Sequence, residues 1–132
     1  MLIVSGYPPN IEAIRKAFSL EGKSPVFAYG HFLYNPNKLP IADHLMAHEE
    51  THERQQVKFG SVELWWEKYI ADAQFRLEQE QEAYMEQYRF VKRKIKDRNA
   101  VARFLHAIAV ELSGMMHGNI ISYDDAKQAI SR

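Results

Sequence analysis

The stretch IADHLMAHEETHERQQV, residues 41–57, decides how the rest of the chain is read. Its positions sort at helical spacing. With His48 at zero degrees, Ile41, Leu45, Thr51 and Gln55 fall near the histidines, and Ala42, Met46 and Gln56 lie toward Glu49. Asp43, Glu50, Glu53 and Arg54 take the opposite, solvent-facing side. His48 and His52 are four positions apart. On a helix such residues stack with Cβ atoms about 5–6 Å apart, so both imidazoles can reach one ion at about 2.0–2.1 Å. Glu49 lies about 100° round the helix, poorly placed as a ligand but able to reach a water on that ion, where a general base is needed. The string is therefore a helical HExxH with its histidines on the inward side.

Upstream, Leu2 to Ser5 is a short apolar run suited to an edge strand, and Pro8-Pro9-Asn10 punctuates it. Ile11, Ile14, Ala17 and Phe18 give helical spacing from Ile11 to Leu20, with Gly22 as the stop. VFAYGHFLY, residues 26–34, is aromatic and branched with Gly30 at its middle, which predicts one bulged strand or a tight pair of strands. Downstream, Gly60 ends the HExxH helix and a long helix is expected from Val62 past Tyr88. Another is expected over Ala100 to Leu112, then a Gly-containing loop from Ser113 to Ile121, then a last helix opened by Ser122 with Asp125 in a capping position. These elements predict an α+β fold: one domain over residues 1–132, with a small β-sheet in the N-terminal third packed on the HExxH helix and a glutamate helix, and further C-terminal helices.

A catalytic zinc takes three protein ligands and leaves the fourth position open. The chain has no cysteine, so the third ligand must be a histidine or a carboxylate, a donor set suited to zinc. Four glutamates follow on the expected long helix: Glu78, Glu80, Glu82 and Glu86. Glu80 shares its face with Trp66, Tyr69, Leu77, Ala83, Tyr84, Gln87 and Val91, whereas Glu78 and Glu82 lie about 200° away. A carboxylate in an apolar stripe is costly unless compensated, and a cation compensates it. Glu80 is thus the expected third ligand, with Glu82 as the fallback. The alternative for Glu80 is an ordinary ion pair with an arginine or histidine.

HEETHERQQ followed by LEQEQEAY resembles the gluzincin clan of zinc metallopeptidases, in which a second helix carries a glutamate ligand. The E-x-x-A pattern of that helix falls on Glu80-Gln81-Glu82-Ala83, again placing the ligand at Glu80. The resemblance extends from about Val26 to Gln87, and small metallopeptidases of bacteriophage genomes look similar. It implies zinc held by His48, His52 and Glu80, with Glu49 as general base in peptide-bond hydrolysis. Many relatives have Asp or Asn after the alanine as a partner to a zinc ligand; Tyr84 stands there in this chain, a departure that leaves the ligands intact but not that partner.

A peptidase also needs a donor for the developing oxyanion. His117, in the SGMMHGN loop, is the first candidate, with Tyr84 and Tyr123 as alternatives. His44 can face the same cleft but is awkward as a third helical ligand, so it is expected to hydrogen-bond or to be partly exposed. Gln55 and Gln56 can orient a histidine or simply pack. The aromatic Val26–Tyr34 segment can serve as an edge that binds peptide by strand addition. Lys plus Arg and Asp plus Glu balance at 17 each, which predicts neither a nucleic-acid nor a membrane partner. Lys92, Arg93, Lys94 and Lys96 read as a solvated helix face. MLIVSGYPPN lacks the pattern of a signal peptide, so the expected location is cytoplasmic, or virion-associated for a phage-encoded protein. The rival expectation is a non-catalytic zinc-stabilised structural or interaction protein using the same ligands with a closed fourth position.

Overall fold

The computed structural model describes residues 1–114 and 119–132. The chain forms β1 (Leu2–Val4), α1 (Ile11–Ala17), β2 (Phe27–Tyr29), β3 (Phe32–Tyr34), α2 (Asp43–Phe59), α3 (Val62–Ala71), α4 (Ala73–Lys94), α5 (Arg98–Ser113) and α6 (Tyr123–Ser131). The architecture is α+β, as expected, with a mixed sheet in the N-terminal third and helices after it. No helix among the described residues is long and apolar enough to cross a membrane.

The VFAYGHFLY segment folds as two strands. β2 and β3 pair antiparallel with Tyr29 opposite Phe32, and Gly30 at φ +62° turns the corner, as a two-residue hairpin with glycine first requires. β1 pairs parallel to β3, giving the order β1-β3-β2 with β1 at an edge. Leu33, on the central strand, is fully buried. Gln56 fastens the hairpin to α2: its amide donates to Ala28 O at 2.8 Å and its carbonyl accepts from Gly30 N at 2.7 Å. Trp66 Nε1 donates to the same Ala28 carbonyl at 3.0 Å.

Several helix boundaries have a local cause. α2 stops at Gly60, which adopts φ +92° and donates to the carbonyls of Gln56 and Val57, a left-handed cap that glycine adopts without Cβ strain. Ser61 caps α3, Asp97 caps α5 and Ser122 caps α6, each side-chain oxygen accepting from backbone N–H groups in the first turn. The expected long helix from Val62 past Tyr88 is two helices. Asp72, at φ −117° and ψ 104°, leaves helical geometry, ends α3 and caps α4 by accepting from Phe75 N at 3.0 Å. Arg76 then folds back to donate to Tyr69 O at 2.8 Å, satisfying an end carbonyl of α3. The first helix is also shorter than expected, closing at Ala17.

Two apolar clusters flank α2 and α4. One joins α4, α5 and α6 through Leu77, Leu105, Ile108, Leu112 and Ile130. The other joins α1, β2 and α3 through Ile14, Phe27, Trp65, Trp66 and Tyr69. α2 packs along α4 between them, and the polar residues that face each other there are buried.

Candidate metal centre

α2 buries His48, Glu49, Thr51, His52, Gln55 and Gln56, while Asp43 and Arg54 are exposed. The inward face is therefore the one that helical phase assigned to the HExxH motif. α4 buries Glu80 together with Leu77, Ala83, Tyr84, Gln87 and Val91, and leaves Glu78 and Glu82 exposed. The two helices bring Glu80 against both histidines. Its Oε1 lies 3.1 Å from His48 Nε2 and 3.1 Å from His52 Nε2.

What surrounds these atoms decides their protonation. His48 Nδ1 donates to Gln87 Oε1 at 2.9 Å, and His52 Nδ1 donates to Gln55 Oε1 at 2.8 Å. Both imidazoles thereby carry a proton on Nδ1 and turn Nε2 toward Glu80. The other carboxylate oxygen, Oε2, accepts from Tyr69 OH at 2.5 Å, which leaves Oε1 to face the histidines. Two lone pairs and a carboxylate oxygen then converge, which is repulsive unless a cation lies among them. Donors about 2.0–2.1 Å from a tetrahedral ion stand about 3.3 Å apart, close to the observed 3.1 Å separations. His48, His52 and Glu80 together form a buried group that could hold a metal ion, all three ligand atoms lying within 4.8 Å of one another.

Without a metal, protons fill the same role. Although burial opposes it, Glu80 raises the His52 imidazole to about 9, and the two histidines hold Glu80 well below the usual carboxylate range despite its own burial. Tyr69 is pushed well above its ordinary value by burial and by Glu80, so it stays a donor. Trp65 stacks on Tyr69 with ring centroids 5.0 Å apart, and Tyr84 meets His48 edge-on at 4.6 Å. Gln87 and Gln55 hold the histidine tautomers, and Tyr69 holds the glutamate. Gln55 is itself held by Glu82, whose Oε1 accepts from Gln55 Nε2 at 2.8 Å. Glu82 thus reaches the site through Gln55 and not as a ligand.

The triad opens onto a cleft of about 820 Å³ whose walls include Phe18, Val26, Phe27, Leu45 and Glu49. Glu49 is buried, and burial raises its carboxyl, with His48 and His52 opposing the shift. His44 also lines the cleft; its Nδ1 accepts from Gln87 Nε2 at 2.9 Å. Burial lowers the His44 imidazole from its ordinary value, outweighing Glu111 and Asp43, which act in the other direction.

Of the candidate oxyanion donors, Tyr84 lines the cleft, but its hydroxyl donates to Glu111 Oε2 at 3.1 Å. Tyr123 is committed elsewhere, its hydroxyl 2.8 Å from His106 Nδ1. His117 lies outside the described residues. Lys92, Arg93, Lys94 and Lys96 are exposed, as a solvated face would be. Sequence reasoning passed over Gln87 and Tyr69 as ligand partners. The only signal for them was their shared face with Glu80.

Fold and site define this chain as an α+β protein with a buried HxxxH-plus-glutamate group of metal-binding type, compatible with a zincin-like centre. No protein-family model matches the chain, and neither a curated protein nor a solved structure matches it.

Proposed function

We propose that this chain is a zinc-dependent hydrolase of the gluzincin type that cleaves peptide bonds. The observation that carries the reading is the convergence of His48 Nε2, His52 Nε2 and Glu80 Oε1 beside the buried Glu49 at a cleft of about 820 Å³. Zinc suits a His₂Glu donor set and, when bound, supplies Lewis acidity and lowers the cost of deprotonating water.

Glu49 takes the proton from the attacking water and delivers it to the departing amine nitrogen. A carboxyl raised by burial suits both halves of that task, since it holds a proton near neutral pH more readily than an exposed glutamate. Gln55 and Gln87 accept from the Nδ1–H groups and so turn each Nε2 toward Glu80, and Tyr69 fixes the carboxylate. β2 is an edge strand, but its Ala28 carbonyl already accepts from Gln56 and Trp66. A substrate strand would instead run along the preceding Ser24–Val26 segment, which lines the cleft.

Glu49→Gln tests this reading. The variant should retain one zinc per chain by elemental analysis and lose hydrolysis of a casein or peptide-library substrate by at least about 10²-fold. Unchanged turnover would sink the proposal. A fourth protein ligand closing the site would favour the non-catalytic reading instead.

A further inference from the structure

We propose that His44 presents a fixed Nε2–H donor to the cleft and binds a backbone carbonyl of the substrate, away from the scissile bond. The argument passes through Gln87. His48 can direct Nε2 toward Glu80 as a ligand only with its proton on Nδ1, and Nδ1 then donates to a carbonyl oxygen. That oxygen is Gln87 Oε1, 2.9 Å away. The Gln87 atom that meets His44 is the other end of the amide, Nε2, 2.9 Å from His44 Nδ1, and an amide NH₂ can only donate. His44 Nδ1 must therefore be the acceptor, and the proton of the neutral imidazole resides on Nε2. The ligand state of His48 thus dictates the tautomer of a histidine that is not a ligand.

His44 is half-buried and lines the cleft, and no hydrogen bond to its Nε2 occurs among the described residues. The ring is steadied edge-on by Phe104 at 4.9 Å. Distance then decides what the donor can reach. His44 precedes the midpoint of His48 and His52 by six residues, or about 9 Å along a helix rising 1.5 Å per residue. An extended peptide advances about 3.3 Å per residue, so the contact falls about three residues from the scissile carbonyl. His44 is a positioning residue that selects for an extended peptide backbone. Its substrate rests on the peptidase reading above, while its tautomer does not.

Two measurements on the zinc-loaded full chain separate these parts. Long-range ¹H–¹⁵N correlation of the histidine rings should show Nε2–H for His44 and Nδ1–H for His48 and His52; an Nδ1–H signal for His44 overturns the proposal. Affinities are then compared for a peptidyl hydroxamate and for acetohydroxamate, which has no peptide backbone. His44→Ala should weaken the peptidyl compound by about two- to tenfold, the range of one neutral hydrogen bond, and leave acetohydroxamate unchanged. His44→Gln, whose amide N–H can stand near the imidazole Nε2, should restore much of the loss. Equal weakening of both compounds, or none for either, refutes the inference. Failure of the wild-type chain to cleave peptides would refute the peptidase reading alone, because these outcomes need no turnover.

Discussion

Metal uptake by this site should expel a proton, and the structure says how many and over what pH range. In the metal-free protein the His52 imidazole is raised to about 9, whereas Glu80 is held well below the usual carboxylate range. Below about pH 9 the His52 imidazole therefore holds a proton, while the Glu80 carboxylate is already charged. A metal at His52 Nε2 must displace that proton. Affinity should then rise about tenfold per pH unit and level off above pH 9, so that at pH 7 it stands about 100-fold below the plateau. Competition against a chelating indicator from pH 6.5 to 9.5 gives the slope, and calorimetry in two buffers of different ionisation heat counts the proton directly. A flat affinity across pH 7–9, with no proton released, would refute the electrostatic reading of the triad. The metal-free fold carries the complementary dependence. A folded-state imidazole raised above its unfolded value of about 6.5 contributes stability that is complete below pH 6.5 and is lost as pH rises through 9. The shift corresponds to about 3 kcal/mol. Glu80 shares this interaction from the acid side: its contribution is present above the unfolded carboxylate value and is lost as pH falls through its depressed one.

Glu80→Ala should abolish stoichiometric zinc binding by elemental analysis, whereas Glu82→Ala should keep it, since Glu82 reaches the site through Gln55; retention by the first and loss by the second would reverse the ligand assignment. Gln87→Leu removes the acceptor for His48 Nδ1 and should weaken zinc binding about 10- to 100-fold in the same indicator competition, with the helical circular dichroism unchanged. Asp72→Ala removes the cap of α4 and should cost about 1 kcal/mol in urea unfolding, and a neutral result would mean that the α3–α4 junction does not depend on that bond.

The break at Asp72 is instructive about phase arguments. Placing Trp66 and Tyr69 on the face of Glu80 assumed one unbroken helix, and the interruption at Asp72 cancels that reasoning for both residues. The conclusion for Glu80 stands because Leu77, Ala83, Tyr84, Gln87 and Val91 all belong to α4 itself. Tyr69 still reaches Glu80, but from a separate helix, through a contact that no periodicity describes. The hairpin shows the same limit at shorter range. Gly30 marked a corner in VFAYGHFLY, yet a bulge and a turn both use glycine, and the choice came with the pairing of Tyr29 to Phe32.

Local chemistry in the chain was enough to specify the α+β order, the inward face of the HExxH helix, the stop at Gly60 and Glu80 as the glutamate in an apolar stripe. These depend on helical period, glycine's access to positive φ and the cost of burying a carboxylate, all of which act within a few residues. Only the tertiary structure decided that Oε1 of Glu80 meets both Nε2 atoms at 3.1 Å and that Gln55, Gln87 and Tyr69 hold those groups in their ligand forms. Amide and phenol partners carry no repeat and no charge, and their meaning depends on which atom faces which across two packed helices.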